Sequence, residues 1–513
     1  MRTKSSIKNL TFAIIGQFFG LIVSFFSRIV FINILGTEYL GLNGLFTNVL
    51  TILSLVELGI GPAISFSLYK PLAERNVEKI KSLMMLFRKA YVTIGLIILL
   101  FGIGITPFLN YFIKETPDIP NIHLIFLLFV TNSAISYFYS YKRTLIISDQ
   151  KRYIATIYRY SFFIILNIVQ IIVLYLTKSY ILFLICQIAA TLAENILVSK
   201  KADQLFPFLR EKNIKRLDKE TMTEISRNVR AMIAHKLGGI VVNTTDNIII
   251  SKFIGLVQVG LYSNYQLVIN ALNIITSQFF SSITASVGSL GATETNEKKE
   301  FIFRVVFLLN FWIFSFISVC LVVLINPFIE LWLGKEYLLN TSIVMIIIIN
   351  FYLTGMRKSV LTFKEALGIF WYDRYKPIFE SIINLIASIY LVQYFGMLGV
   401  FIGTTISTVS TVFWIEPYVL YKYGFKSTPI SYFKVYLNYL IITIVTLFIT
   451  LSLSSIFNEV NLVNFAIKTI LCLLIPNVIY LNLFSKTREF QYLRNVLNNF
   501  IIKKLRYKTL NTR

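Results

Sequence analysis

The chain has 513 residues, of which 56% are hydrophobic and only 14% charged, and its formal net charge is +24. A soluble domain carries about a quarter charged residues, so this composition excludes an ordinary water-soluble protein. Because the apolar residues fall in long runs and not in short alternating segments, the sequence predicts an all-α polytopic membrane protein and excludes a barrel.

The first predicted element is a membrane helix that is retained at the amino terminus. The basic opening segment Met1–Leu10 precedes a long apolar run without a small-residue cleavage site, so we interpret it as a span and not a signal peptide. Further apolar runs predict about fourteen transmembrane helices in total. Their approximate centres are Leu21, Ile52, Leu100, Leu128, Leu166, Leu184, Ile240, Leu272, Ile313, Ile347, Ile386, Thr405, Thr443 and Leu474.

The distribution of basic residues supports an even number of spans. If both termini are cytoplasmic, nearly all of the 49 Lys and Arg residues fall in inner segments, which is the positive-inside pattern. One missed or added helix would invert every later loop. The sequence therefore predicts a multi-pass protein of the cytoplasmic membrane with both termini inside. Anionic membrane lipids then account for the positive charge, and we expect no nucleic-acid partner.

A long polar segment in mid-chain divides the predicted spans. It covers residues 200–228, and its alternation of apolar and basic residues predicts a cytoplasmic amphipathic linker. We therefore expect an N-lobe of helices 1–6 at residues 1–199 and a C-lobe of helices 7–12 at residues 229–425. Helices 13 and 14 and a basic cytoplasmic tail occupy residues 426–513.

A short sequence repeat relates the two predicted lobes. Gly36 and Gly41 recur as Gly255 and Gly260, in both cases 219 residues later and between two apolar helices. The predicted topology makes helix 7 parallel to helix 1. A parallel repeat of this kind predicts a pseudo-twofold axis along the membrane normal and a central cavity between the lobes.

Short glycine-rich or polar motifs follow one another in a fixed order through the first twelve predicted helices. They are Leu35–Leu45, Glu57–Gly61, Thr245–Asn247, Gly260–Ser263, Glu330–Tyr337 and Gly396–Thr404. In order and spacing they resemble the polysaccharide (oligosaccharide) flippases of the multidrug/oligosaccharidyl-lipid/polysaccharide (MOP) exporter superfamily. The resemblance implies two pseudo-symmetric six-helix lobes around a central cavity, plus two C-terminal helices that match only in length and place.

The resemblance also implies a function. A flippase of this family would move an undecaprenyl-diphosphate-linked oligosaccharide repeat unit, a precursor of capsule, exopolysaccharide or teichoic acid, from the inner to the outer leaflet by alternating access. It would need no cofactor, could use Na⁺ or H⁺ as a coupling ion, and could have a polysaccharide polymerase and glycosyltransferases as partners. No nucleotide-binding loop is present, which argues against direct ATP drive.

Two other functions are open alternatives. One is a cation-coupled small-molecule or drug antiporter of the same superfamily, although such members usually have twelve helices and acidic cavities. The other is a membrane glycan polymerase. The polymerase fits less well because the chain lacks both a sizeable loop on one face and a cluster of acidic or Arg and His residues.

Arg28 is the first candidate for substrate binding. It lies about two helical turns before Gly36, and a charge so far inside a span is costly unless it has a function. One interpretation is a guanidinium that lines the cavity and binds a diphosphate through paired hydrogen bonds. The alternative is an Arg that snorkels to the outer surface or pairs with a helix dipole. The repeat offset places Ser27-Arg28 opposite Asp246-Asn247, so the two charges could face across the cavity.

Polar residues are dense in predicted helix 7, and polar density within a span indicates a cavity wall. We interpret Asn243, Thr245, Asp246 and Asn247 as substrate-binding residues. Asp246 is also a candidate for coupling transport to a cation. The alternative is that Asp246 forms a structural ion pair with Arg28.

Glu57 is a second candidate for cation coupling. It precedes Gly59, Gly61 and Pro62, which loosen helix 2 and free backbone carbonyls. The alternative is a structural acid that is hydrogen-bonded across a close helix contact.

Other ionisable residues lie near the predicted inner ends of helices. Lys236, Arg159 and Arg88 are candidates for an inner phosphate rim, and the alternative is that they are ordinary positive-inside anchors. We interpret Glu380 and Glu416 as interface-level residues. Three cysteines lie far apart within apolar runs, so we expect no metal site.

Overall fold

The computed structural model describes nearly the whole chain. The described residues are 2–57, 60–115, 118–211, 214–215, 217–369, 371–496 and 498. Almost all of them lie in helices, and none of them lies in a strand. The chain divides into two compact units, Met1–Ser263 and Asn264–Arg513, and the division falls within one helix. The predicted boundaries of the lobes stay a prediction.

The first unit contains nine helices of the described chain and the start of a tenth. They are α1 Arg2–Leu35, α2 Thr37–Leu53, α3 Ile60–Glu74, α4 Val77–Ile105, α5 Ile122–Phe138, α6 Ser140–Ser148, α7 Arg152–Thr177, α8 Tyr180–Leu205, α9 Lys219–Phe253 and α10 Leu256–Thr293. A short 3₁₀ turn, Ser54–Glu57, follows α2.

The second unit begins within α10 and contains eight further helices of the described chain. They are α11 Asn296–Trp332, α12 Thr341–Met356, α13 Lys358–Leu367, α14 Lys376–Phe395, α15 Met397–Ser407, α16 Phe413–Val419, α17 Ile430–Ser454 and α18 Leu462–Phe484. Two π-helical turns, Thr408–Val412 and Leu420–Phe425, flank α16.

The membrane helices confirm an all-α polytopic membrane protein, although the count of about fourteen spans is not confirmed. In the described residues eleven helices are long and apolar enough to cross a membrane, or twelve if α5 and α6, bent by 45°, form one span. The two predicted spans that fall short are those around Ile52 and Ile240. The first is interrupted by the 3₁₀ turn after the 17-residue α2. The second lies in α9, which is too polar.

The predicted linker at 200–228 comprises the end of α8, a 3₁₀ turn and the start of α9. Phe206 and Ile225 from this segment are buried in the core of the first unit, against Leu83 and Phe87 of α4. Asp218 caps α9. It accepts hydrogen bonds from the backbone N–H and the hydroxyl of Thr221, and these donors hold the pKa of its carboxyl below the ordinary value.

The repeated glycines occupy equivalent places in the fold. Gly36 separates α1 from α2 with a φ of 86°, and Gly255 separates α9 from α10 with a φ of 132°, a backbone conformation that favours glycine. About one helical turn after these glycines, at Gly41 and Gly260, the two copies of the repeat are in contact. A Cβ at Gly41 would clash with the Leu256 carbonyl oxygen, and a Cβ at Gly260 would clash with that of Thr37.

This glycine contact is reciprocal, because Thr37 and Leu256 are themselves equivalent residues in the repeat. Each copy places its glycine against the first helical residue of the other copy. Such mutual contacts between equivalent residues are what a local twofold axis between α2 and α10 would produce. Only glycine allows two membrane helices to approach so closely at these points.

The two C-terminal helices are integral to the second unit. Tyr439 of α17 stacks on Phe311 of α11 with ring centroids 4.2 Å apart, and Tyr480 of α18 hydrogen-bonds to Ser315 of α11. Tyr432 and Phe307 extend the same aromatic core, with centroids 4.9 Å apart. Buried aromatic pairs of this kind fix helix positions as well as burying apolar area.

Candidate functional site

Arg28 is anchored at the repeat contact. Its Nη1 donates a hydrogen bond of 2.8 Å to the Ser263 hydroxyl on α10, and that hydroxyl donates one of 2.7 Å to the Gly260 carbonyl. The guanidinium of α1 is therefore oriented by the helix turn that holds α10 against α2. Sequence analysis noted Ser263 within a motif but did not predict its contact with Arg28.

Asp246 and Asn247 lie on α9 with orphaned oxygens. The Oδ1 atom of each is buried and has no hydrogen-bond partner in the described part of the chain. Asp246 also forms no salt bridge with a described residue, so the alternative of a structural ion pair with Arg28 is not seen here. Asn247 packs beside α2, with its Nδ2 3.9 Å from where a Cβ of Gly44 would lie.

The structure says less about Asn243 and Thr245, the other predicted substrate-binding residues of α9. Thr245 is half-buried on α9, beside the buried Thr244. The side chain of Asn243 lies outside the described residues, as does that of Lys236. Because orphaned buried oxygens are costly, the α9 segment around Asp246 is a place where a ligand donor or cation would be stabilising.

Glu57 ends the 3₁₀ turn between α2 and α3. Its Oε1 accepts a hydrogen bond of 3.3 Å from the Tyr91 hydroxyl, and the Tyr137 side chain lies close to the same carboxylate. Gly61 makes room for the arrangement, since a Cβ there would lie 2.6 Å from the Tyr91 hydroxyl oxygen. No described Lys or Arg forms a salt bridge with Glu57. Sequence analysis did not identify the two tyrosines, which come from α4 and α5.

The predicted inner phosphate rim stays a prediction, because the side chain of Lys236 lies outside the described residues. Arg88 on α4 and Arg159 on α7 are exposed, and neither forms a salt bridge with a described residue. Nearby cations on α6 behave differently: Arg143 pairs with Glu194 at 2.5 Å, and Lys142 pairs with Asp203 at 2.7 Å. These pairs tie α6 to α8.

The second unit contains a buried ionic network that sequence analysis missed. Glu416 is fully buried and accepts two hydrogen bonds from Arg357, of 3.0 Å from Nε and 2.9 Å from Nη2. Lys376 also contacts Glu416, and Arg357 reaches Glu380 at 3.5 Å. Glu380 and Glu416 are therefore buried within the protein, and their interpretation as interface-level residues stays a prediction.

The network continues through Asp373, which contacts Lys364 and lies 3.3 Å from Lys376. Its three cations and three carboxylates leave no formal net charge. The residues come from different helices and loops, so no local spacing in the sequence reveals their pairing. The number of charges near the ends of α12, α14 and α16 is the only signal that could have indicated it.

No group of three or more His, Cys, Asp or Glu side chains that could hold a metal ion occurs among the described residues. The candidate residues of the first unit instead offer a guanidinium, isolated carboxylates and hydroxyls. Such groups can bind an anionic head group or exchange a monovalent cation or proton.

Bundled apolar helices with charged residues held inside them define a polytopic membrane protein. The sequence model of a family described as "Polysaccharide biosynthesis protein" matches residues 6–287. This match covers more than half of the chain, and the chain belongs to this family. No curated protein matches the sequence significantly.

Solved structures of transporters share the fold. The lipid II flippase MurJ in an inward closed conformation is 15% identical, with a TM-score of 0.66, and the match covers 93% of this chain and 99% of that one. An inward-facing multidrug resistance MATE family transporter of the MOP superfamily is 15% identical, with a TM-score of 0.62 and coverage of 76% and 91%.

A third similar structure is that of a point mutant of the Vibrio cholerae MATE transporter VcmN. It is 13% identical, with a TM-score of 0.56 and coverage of 82% of this chain and 97% of that one. Together these similarities show that the chain has the fold of these transporters. At such low identity they establish the fold, and the substrate has to be argued from the residues.

Proposed function

We propose that the chain is a flippase for an undecaprenyl-diphosphate-linked oligosaccharide, a precursor of capsule, exopolysaccharide or teichoic acid. The observation that carries the proposal is the extent of the likeness to a lipid flippase. It covers 93% of this chain and 99% of that one, whereas the MATE structures match 76% and 82% of this chain. This greater extent favours a lipid-linked substrate over a small molecule.

In this proposal Arg28 receives the diphosphate. Ser263 orients one edge of the guanidinium, and a phosphate can bind the planar N–H groups through paired, charge-assisted hydrogen bonds. Thr245, Asp246 and Asn247 add polar contacts from α9, while the polyprenyl tail stays in the bilayer. The substrate would cross by alternating access of the two lobes in the cytoplasmic membrane.

The return of the empty carrier needs a driving force. Glu57 and Asp246 are the candidates for binding Na⁺ or H⁺, since neither carboxylate forms a salt bridge with a described residue. A polysaccharide polymerase would use the product on the outer leaflet, and glycosyltransferases would supply the substrate inside.

The proposal is tested by depleting the protein in its own cell. We expect lipid-linked repeat units to accumulate on the cytoplasmic leaflet, where an added glycan-modifying enzyme cannot reach them in intact cells. Wild-type protein should restore surface polymer, and Arg28→Ala should not. Arg152→Ala is the matched control, because it removes an exposed arginine of the same unit that is not a candidate site residue. Depletion without accumulation of repeat units would contradict the flippase function.

The likeness to MATE transporters favours a second candidate function, a cation-coupled small-molecule antiporter. Deletion of such a protein would increase sensitivity to cationic drugs without changing surface polymer. Measuring both phenotypes in one deletion strain separates the two functions. The third interpretation, a membrane glycan polymerase, has no support from the family or from these structures.

A further inference from the structure

The second unit has an exposed surface on which two cations rest against aromatic rings. We call it the cation–aromatic patch. Its residues are Trp371, Tyr372, Arg374, Tyr375, Tyr418, Lys422 and Tyr423. They lie in the turn before α14, at the end of α16 and in the π-helical turn that follows α16. Five of these side chains are large exposed aromatics, with Trp371 67% and Tyr375 59% accessible.

Arg374 is held in a fixed orientation. Its guanidinium carbon lies 4.0 Å from the centroid of the Trp371 ring and 4.7 Å from that of Tyr375. Its Nη1 also donates a hydrogen bond of 2.9 Å to the Trp371 carbonyl. Cation–π contacts of this geometry fix the guanidinium while leaving its other edges available.

Lys422 forms the second half of the patch. Its Nζ lies 5.1 Å from the Tyr418 ring centroid and 5.5 Å from that of Tyr423, and it donates a hydrogen bond of 2.8 Å to the Tyr418 hydroxyl. The Tyr423 ring stacks on Tyr372 with centroids 3.7 Å apart and planes 9° apart. This stack joins the two cation sites into one surface.

The patch carries an uncompensated positive charge. Neighbouring cations such as Lys364 and Lys376 are neutralised by Asp373 and Glu416 in the buried network. Arg374 and Lys422 form no salt bridge with any described residue. Two cations that are oriented but not neutralised form a surface complementary to an anion.

An apolar stripe begins beside the patch. Along α14, Phe379, Ile382, Ile386 and Tyr390 are 60%, 50%, 64% and 60% exposed and recur at helical spacing on one face. A phosphate bound by the patch would therefore have apolar surface next to it along which hydrocarbon chains can lie. An anionic head beside an apolar stripe has the shape and polarity of a membrane lipid.

We infer that the cation–aromatic patch is a binding site for an anionic glycerophospholipid, such as phosphatidylglycerol. Arg374 and Lys422 bind the phosphate, and the acyl chains lie along the exposed face of α14. The sequence places these cations in inner segments, on the leaflet side where anionic lipids attract basic residues. The site is separate from Arg28 and holds a resident lipid, not the transported one.

The test measures lipid binding to purified full-length protein in detergent. Native mass spectrometry counts bound dioleoyl phosphatidylglycerol as its concentration is raised, with dioleoyl phosphatidylcholine as the neutral comparison. We expect the anionic lipid to bind more tightly to the wild type. Arg374→Gln combined with Lys422→Gln should weaken its binding about thirtyfold, because each basic residue near an anionic surface contributes about a fivefold effect.

Lys434→Gln is the matched control for this test. Lys434 is an exposed cation at the start of α17 without a contact to an aromatic ring, so its loss removes the same charge without touching the patch. Equal binding of the two lipids to the wild type would overturn the inference. So would an effect of the control as large as that of one patch cation, which would indicate diffuse attraction only.

A second measurement keeps the inference testable if the double variant does not fold. Phosphatidylglycerol with brominated acyl chains should quench tryptophan fluorescence of the wild type more than brominated phosphatidylcholine does, and Trp371→Phe should remove most of the difference. No difference in the wild type, or an unchanged difference in Trp371→Phe, would contradict a site here. Co-purification of a protein that covers the patch while lipid binding is unchanged would also contradict it.

Discussion

The candidate transport charges of the first unit and the buried charges of the second are held in opposite ways. In the second unit, Arg357 and Glu416 belong to a network in which cations and carboxylates compensate each other. In the first unit, Glu57 is held by a tyrosine hydroxyl and Arg28 by a serine hydroxyl. A neutral hydroxyl can yield to an ion or a phosphate, while an opposite charge resists exchange. This difference favours transport chemistry in the first unit and rigidity in the second.

The largest expected effect comes from breaking the network. Glu416→Gln removes the carboxylate that Arg357 and Lys376 share and leaves the network with an excess buried positive charge, and removing one partner of such a set costs about 3–5 kcal/mol. We expect a clearly lower Tm for the purified protein. Glu365→Gln is the control, since Glu365 is an exposed carboxylate on α13. Equal Tm values for the two variants would contradict a stabilising role of the network.

The next effect concerns the contact that positions Arg28. Gly41→Ala and Gly260→Ala each place a Cβ against a backbone carbonyl that cannot rotate away. We expect a loss of about 1–3 kcal/mol in each case, together with reduced transport, because Ser263 moves with the α10 turn. Gly104→Ala in α4, where a Cβ would meet nothing within 4 Å, should leave both unchanged. Normal stability and transport in the two contact variants would contradict the close approach.

The sharpest test of the difference between the units makes the same chemical change in the first unit. Glu57→Gln leaves no cation stranded, so we expect a Tm within a degree or two of the wild type, in contrast to Glu416→Gln. If Glu57 couples transport, the variant should lose the dependence of transport on Na⁺ or pH in vesicles. A loss of stability as large as that of Glu416→Gln would show that the two units handle charge alike.

The smallest effect on transport is expected from the hydroxyl that holds Glu57. Tyr91→Phe removes one hydrogen bond to the carboxylate and should cost about 1–2 kcal/mol. It should also shift the ion concentration or pH at which transport is half-maximal, because the carboxylate loses a competing donor. Tyr111→Phe, at a position 70% exposed, is the control. An unchanged ion or pH dependence would make the hydroxyl purely structural.

Local features of the fold could be predicted from the sequence. Long apolar runs predict helices, and glycines at a constant offset predict that Gly36 and Gly255 end equivalent ones. The motifs between Leu35 and Thr404 were sufficient to indicate the polysaccharide biosynthesis family whose model matches the chain. The predicted spans around Ile52 and Ile240 are not confirmed. A 3₁₀ turn makes the helix at Ile52 too short for a membrane span, and the helix at Ile240 is too polar.

Contacts between distant residues could not be predicted. The repeat frame aligned Arg28 with Asn247, yet the observed partner is Ser263 on the following helix. Arg357 and Glu416 are separated in sequence by three helices, so no periodic pattern in the sequence predicts their pairing. Such pairings depend on side-chain reach and helix tilt, which hydrophobic patterning does not encode. The assignment of Arg28, Asp246 and Glu57 to transport stays a prediction.

The reciprocal glycine contact has a consequence for the history of the chain. Gly41 needs the backbone of the second copy, and Gly260 needs that of the first, so neither copy alone can form the contact. A half-length ancestor could have formed it only between two identical subunits related by a true twofold axis. Gene fusion would then have freed the rest of each copy to diverge in charge, while substitution at either glycine stayed constrained by the other half.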